Sequence, residues 1–129
     1  MIREHTIEFR VRYQETDAQG RVHHANYFTY FEMGRVEQLR AAGYDYRQLE
    51  KEGTLLVVHD IGCRYHQPAC YDDVLTLCTR TVRITPARVE QEYEVRRGDV
   101  LLAKGHSVLA CIDRDGNVQR MPEWMVLDD

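Results

Sequence analysis

Long apolar runs are missing from this 129-residue chain. No stretch approaches the roughly eighteen apolar residues that a membrane-crossing helix requires. The opening MIREHTIEFRVRY alternates polar and apolar residues and lacks the apolar centre of a signal peptide, so it reads as the start of a mature cytoplasmic protein. Cysteine is scarce and poorly spaced for chemistry. Cys63, Cys70, Cys78 and Cys111 form no CxxC pair, which predicts reduced, mostly buried thiols and no metal. His59, His66 and His106 are too scattered to add a metal site. Charge of one sign is also absent. Seventeen Lys and Arg face 21 Asp and Glu, the net charge is −4, and no block of five like charges occurs. That balance argues against nucleic acid as a partner. Repeats, low-complexity stretches and linkers are likewise missing.

A chain of this length suits one domain, residues 1–129, and buries roughly two thirds of the surface that its unfolded form exposes. Ile7, Phe9, Val11 and Tyr13 alternate with Glu8, Arg10 and Arg12, the period of a strand with one buried face. A loop from Gln14 to His24 follows. A helix is predicted over 26–42, with Asn26 as N-cap and Gly43 just past its end. Its first two turns carry Tyr27, Phe28, Tyr30, Phe31 and Met33, apolar nearly all round, which predicts burial. A short helical or irregular piece spans 44–52. Four strand-like runs follow at 55–66, 74–83, 89–96 and 100–113. Turn residues separate them: Gln67-Pro68, Tyr71-Asp72-Asp73, Thr85-Pro86 and Arg97-Gly98-Asp99. Short loops make the last three an antiparallel meander. The tail, 114–129, reads as extended and partly loose. The expected fold is α+β: a five-stranded antiparallel sheet wrapped around one long central helix. An edge-to-edge pair of such sheets would cover an exposed edge strand.

The stretch ETDAQGRVHHANYFTYFE, from Glu15 to Glu32, sets an acid, a glycine and two histidines directly ahead of that helix. On residue types alone, Asp17 and Gly20 are ordinary turn chemistry, an Asx turn closed by a glycine. Tyr13 is then a core tyrosine, His23 a surface residue, and the start of the helix a capped terminus.

Three segments carry a resemblance that alters this balance. They are VRYQETDAQGRVHHANYFTYFEMGRVEQLRAAG, VVHDIGCRYHQPACYDDVLTLCTRTVRI and the weaker VEQEYEVRRGDVLLAKGHSVLACIDRDGN, which together span 11–117. The first is the most specific: a strand ending in Tyr, then x-x-T-D-x-x-G-x-V-x-H-x-N-Y, then a Glu-containing helix. The chain resembles the hotdog-fold acyl-CoA thioesterases of the 4-hydroxybenzoyl-CoA thioesterase-like branch, and within it the Tol-Pal-associated group. The resemblance implies hydrolysis of an acyl-CoA thioester without a metal or other cofactor. It implies a homodimer with the active site at its interface, and often a pair of dimers. It puts the catalytic carboxylate on Asp17, as nucleophile or general base. It puts a carbonyl-polarising backbone N–H near His24, in a loop that includes Gly20 and Val22, where a helix N-terminus adds positive potential. Tyr13 and the His24 side chain match assisting positions.

Phosphates of CoA call for Arg or Lys. The candidates are Arg64, Arg83, Arg88 and Arg97, although TPARVE, around Arg88, departs from the Lys/Gly-x-Ser-type turn of many relatives. Gly34, also unusual, predicts close packing or a roomier acyl pocket. A second hotdog branch uses a helix carboxylate, which makes Glu32 the rival acid; an ion pair with Arg35 or a contact in the dimer is its structural reading. Asp72 and Asp73 read as turn residues. Two other activities fit the expected fold: a dehydratase acting on acyl double bonds, and a non-catalytic acyl-CoA-binding module. Asp17 and Gly20 favour the thioesterase over both.

Overall fold

The computed structural model describes residues 1–127. In chain order it has β1 (Glu4–Arg10), a 3-10 turn (Tyr13–Glu15), α1 (Asn26–Ala41), α2 (Tyr46–Lys51), β2 (Leu55–Tyr65), β3 (Val74–Ile84), β4 (Arg88–Arg97), β5 (Val100–Ile112) and β6 (Val118–Gln119). The strands form one antiparallel sheet in the order β1-β3-β4-β5-β2, and β6 adds two residues beside β5. The five long strands and the single long helix match the hotdog expectation; β6 is additional.

The sheet is sided because its strands alternate. On β3, Leu75, Leu77, Thr79 and Thr81 point inward, and on β4 Val89, Gln91, Tyr93 and Val95 do the same. The inward face packs against α1. Tyr27, Tyr30, Phe31, Gly34 and Gln38 lie at spacings of three and four, so they form one buried stripe. Burial all round was expected of the first two turns; instead Thr29 and Glu32 are exposed there, on the other side. The helix stops where expected. Gly43 takes φ +93°, its N–H bonds to the Arg40 carbonyl, and the Tyr44 N–H reaches back to the Leu39 carbonyl. This is a Schellman ending, and the positive φ suits a glycine.

Helix and sheet approach closely at two glycines. A Cβ on Gly34 would run into Thr79 Oγ1 and lie 2.8 Å from Leu77 Cδ2. Close packing, rather than a roomier pocket, explains Gly34. A Cβ on Gly105 would strike the Phe31 ring. That ring lies flat on Tyr93, with centroids 4.4 Å apart and planes within 10°.

The tail is better held than its composition suggests. β6 pairs with β5, and Met121 and Met125 are buried in a second small core with Val89, Leu109 and Cys111. Trp124 stacks on Tyr44 at 4.0 Å. The looseness expected of the tail therefore does not reach Met121 or Met125; Asp128 and Asp129 lie outside the described residues.

Candidate active site

Glu15 organises the entrance to α1. The residue is 7% exposed. Oε1 accepts the Arg12 N–H at 2.8 Å and the Tyr30 hydroxyl at 3.0 Å, while Oε2 accepts Arg12 Nε at 3.1 Å. The Glu15 carbonyl takes the His23 N–H at 2.9 Å and Asn26 Nδ2 at 2.8 Å. A carboxylate this buried would be costly without such partners. Burial, and then the neighbouring Glu15, push the Tyr30 hydroxyl above the usual tyrosine range. The same bonds fold residues 13–15 into a 3-10 turn, so the strand ends at Arg10 and not at Tyr13. Tyr13 is 77% exposed, rests edge-on against Tyr71 and does not line the cavity described next.

Between Thr16 and Val22 the chain doubles back. The Asp17 N–H bonds to the Arg21 carbonyl, and the Gly20 N–H to the Asp17 carbonyl, with Gly20 at φ +81°. Val22 is buried and donates its N–H to the Ala69 carbonyl at 2.8 Å. Asp17 Oδ1 accepts the Gln19 N–H at 2.8 Å and, weakly, the Arg21 N–H at 3.5 Å. Oδ2 has no partner among the described residues. Asp17 is therefore an Asx-turn residue through one oxygen and a free carboxylate oxygen through the other. It lines an open cavity of about 260 Å³ together with Val22, His24, Tyr27, Tyr65 and His66.

The start of the helix differs from expectation. Ala25 occupies the cap position with no side-chain cap, and Asn26 lies within the first turn. His23 Nδ1 accepts the Ala25 N–H at 3.2 Å, an acceptor role that requires this nitrogen to be unprotonated. The N–H groups of Asn26, Tyr27 and Phe28 bond back to the carbonyls of His23, His24 and Ala25. Between Gly20 and Phe28, one N–H is left without an acceptor among the described residues, that of His24. The free donor thus precedes the helix rather than belonging to its first turn. The His24 ring is exposed and stacks on His23 at 4.3 Å.

The far wall, residues 66–73, is latched. Arg97 Nη1 donates to the Pro68 carbonyl at 3.1 Å and to Asp73 Oδ2 at 2.9 Å, and Asp73 Oδ2 also accepts the Cys70 N–H at 2.9 Å. Arg97 is committed to this loop rather than free for phosphate. Asp72 adopts φ +73° and pairs with Arg10 at 3.3 Å, in keeping with its turn reading.

Of the other candidate cations, Arg64 lies beside the cavity. It is exposed, has no ion pair among the described residues, and shares a neighbouring cavity with Lys104, His106 and His66. His66 lines both cavities. Arg83 and Arg88 flank the β3–β4 turn at the opposite end of the sheet, roughly 30 Å along β3 from Val74 at ~3.3 Å per residue. One chain alone does not bring them to Asp17. Glu32 is exposed and forms no pair with Arg35, whose Nη1 instead donates to the Tyr93 hydroxyl at 3.2 Å. The cysteines are all free, but only Cys111 is fully buried, and Cys70 is exposed.

The profile of the thioesterase-like superfamily matches residues 11–127. The chain belongs to this family. A protein named putative esterase, from Aquifex aeolicus, is 35% identical over 114 residues, covering 88% of each chain. The acyl-CoA thioesterase YbgC of Haemophilus influenzae is 34% identical, over 81% of this chain and 77% of its own. Among solved structures, a probable thioesterase from Bartonella henselae superposes with a TM-score of 0.88 at 33% identity, covering 92% of this chain and 99% of its own. The chain is accordingly a hotdog-fold enzyme of the thioester-hydrolase class.

Sequence reasoning passed over Glu15 and Tyr65 in this thioesterase. Glu15 had a signal: it stands three residues after Arg12, the spacing of a local ion pair. Tyr65 continues the inward alternation of Ile61 and Cys63, which leads directly to the start of α1.

Proposed function

We propose that this thioesterase hydrolyses an acyl-CoA to the free carboxylic acid and CoA, with Asp17 as the reacting carboxylate and the His24 N–H as the donor to the carbonyl oxygen. One observation carries the reading. A carboxylate oxygen without a partner and a backbone N–H without an acceptor, among the described residues, belong to residues lining the same open cavity. The thioester carbonyl gains negative charge as it is attacked, and a preorganised N–H stabilises that charge without reorganising. Asp17 Oδ2 either attacks the carbonyl carbon, giving an anhydride that water then cleaves, or takes a proton from the attacking water. In both routes the C–S bond breaks, the thiolate of CoA leaves and takes up a proton, and no metal is needed. The exposed His24 ring belongs to a residue that lines the same cavity as Asp17.

The phosphates of CoA have a candidate in Arg64, which has no ion pair among the described residues and shares a cavity with His66, a residue that also lines the Asp17 cavity. Arg83 and Arg88 join the reading only through a partner subunit. A homodimer, or a pair of dimers, is favoured by β2: it is an edge strand with Val57 and Val58 exposed, and an uncovered edge invites pairing. Light scattering should return at least twice the chain mass; a monomer at micromolar concentration would remove Arg83 and Arg88 from the scheme. We assign the reaction to the cytoplasm, where acyl-CoA esters are made and used.

The direct test is thiol release from a panel of saturated, unsaturated and aromatic acyl-CoAs, with wild type beside Asp17→Asn. At least one ester should turn over, and the variant should lose about a hundredfold or more in rate. Equal rates would reduce Asp17 to a turn residue, and hydration of crotonyl-CoA without thiol release would make the enzyme a hydratase.

A further inference from the structure

The cavity wall contributes one side chain whose polar atom points not at the open space but at the main chain beside the free donor. Tyr65, at the end of β2, donates its hydroxyl hydrogen to the His24 carbonyl at 2.8 Å. Its ring stands edge-on to Tyr27 at 5.1 Å and to the His24 ring at 6.4 Å. Tyr27 is buried and supports the ring from below.

The peptide units around His24 show what this bond does. The unit joining His23 to His24 carries the free N–H. Its own carbonyl, that of His23, accepts the Asn26 N–H at 3.0 Å. The unit joining His24 to Ala25 is held at both ends. Its N–H goes to His23 Nδ1, and its carbonyl accepts the Tyr27 N–H at 3.3 Å in addition to the Tyr65 hydroxyl. The Tyr27 bond is the longer of the two on that carbonyl, so the tyrosine hydroxyl is its better partner. The two peptide units pivot about the His24 Cα. Releasing the second frees rotation of the first, and with it the direction of the unpaired N–H. Tyr65 is moreover the only hydrogen-bonding anchor of residues 22–26 among the described residues that comes from β2.

We propose that Tyr65 is a positioning residue for the carbonyl-polarising donor. Its hydroxyl sets the direction of the His24 N–H without touching the reacting atoms. This rests on the thioesterase reading above. Because the effect falls on the carbonyl oxygen, which every acyl-CoA shares, its size is independent of the acyl group. Because the donor acts on charge that develops during reaction, the loss appears in kcat rather than in KM.

Tyr65→Phe keeps the ring and removes the hydroxyl, with its bond to the His24 carbonyl and its contact with the Cys63 thiol. It should lower kcat about tenfold, leave KM within about twofold, and do so by the same factor for a short aliphatic and an aromatic acyl-CoA. Its thermal midpoint should match wild type. Tyr65→Leu, which also removes the ring contacts with Tyr27, should lose no less activity and some stability besides. A Tyr65→Phe enzyme with wild-type kcat overturns the proposal, even if Tyr65→Leu is impaired, since the ring alone would then matter. So does a variant whose loss lies in KM, or whose activity and melting temperature fall together. Asp17→Asn, run alongside, separates the two claims. If Asp17→Asn collapses and Tyr65→Phe does not, the positioning role fails and the thioesterase chemistry stands. If Asp17→Asn is as active as wild type, the chemistry fails and takes the positioning role with it.

Discussion

The two halves of α1 are buried by different means. The front half, from Asn26 to Phe31, meets its surroundings through rings: Tyr30 on Phe9 at 4.6 Å, Tyr27 on Tyr65, and Phe31 on Tyr93. The rear half is fastened by a buried polar network. Gln38 Nε2 donates to the carbonyls of Ile2 and Arg3 and to Thr81 Oγ1, and Gln38 Oε1 accepts Gln91 Nε2 at 2.7 Å. The Tyr93 hydroxyl carries the network on to Ser107 at 2.6 Å and to Arg35. Rings resist withdrawal but tolerate small rotations, whereas a hydrogen-bonded amide accepts one angle. The rear half therefore fixes the rotation of the helix, and the front half transmits it to the loop that carries Asp17 and His24. On this view stability is concentrated at one end and chemistry at the other.

Three variants break or sharpen that division. The largest effect belongs to the front. Asp17→Asn should cost about 3 kcal/mol in activation free energy, the equivalent of a hundredfold in rate. Its melting curve should stay close to that of wild type, because the amide keeps an oxygen for the Gln19 N–H; a large drop in melting temperature would mean that the loop is structural. The rear should show the opposite. Gln38→Leu takes the acceptor at 2.7 Å from Gln91 Nε2 and the amide donor from the Ile2 carbonyl, while the Arg3 carbonyl keeps the Thr81 N–H, and should destabilise the fold by about 2–3 kcal/mol, read by urea unfolding. Activity per folded molecule should change far less than with Asp17→Asn; a hundredfold loss would show that the network belongs to the active site.

The smallest effect uses the seam between the halves. Tyr30 is fully buried, and its hydroxyl is raised by burial and by Glu15. A tyrosine with a raised folded-state pKa stays protonated after the unfolded chain, at about 10, has begun to ionise. The unfolded state then binds fewer protons, so stability is unaffected below about pH 10 and falls as the pH rises beyond it. Chemical denaturation between pH 9 and 11 should reveal that fall, and Tyr30→Phe should flatten it at the expense of lower stability at pH 7. An unchanged slope in the variant would place the titration elsewhere, for example on Tyr27, which is also raised by burial.

Much of this architecture was legible because single residues announced it. The aromatic run and Gly43 fixed α1 at Asn26–Ala41, one residue short of the expected end, and turn residues bounded all four later strands to within about a residue. The misreadings of Tyr13, Asn26 and Arg35 share one cause, a side-chain hydrogen bond that leaves no periodic trace. Tyr13 seemed to continue the alternation of β1 until the Glu15 carboxylate captured the Arg12 N–H. Asn26 has the composition of a cap, but its amide is drawn away to the Glu15 carbonyl. Glu32 and Arg35 have the spacing of a pair, yet Arg35 turns inward to Tyr93. Asp17 was proposed on family resemblance; its turn chemistry, taken alone, gives no sign of its second oxygen.

The strand order has a consequence for how the site comes into being. Among the described residues β1, the strand that leads into the Asp17 loop, pairs only with β3, so that Arg10 meets Val74 and Glu4 meets Arg80. Among them β2, which delivers Tyr65, pairs only with β5, where Tyr65 faces Ala103. During synthesis the first third of the chain therefore leaves the ribosome with no strand to bind, and its aromatic helix waits for a sheet not yet made. The β3–β4–β5 meander, built from neighbours in sequence, has the shortest loops to close. Each wall of the cavity therefore depends on a strand made after it: the Asp17 loop on β3, and Tyr65 on β5.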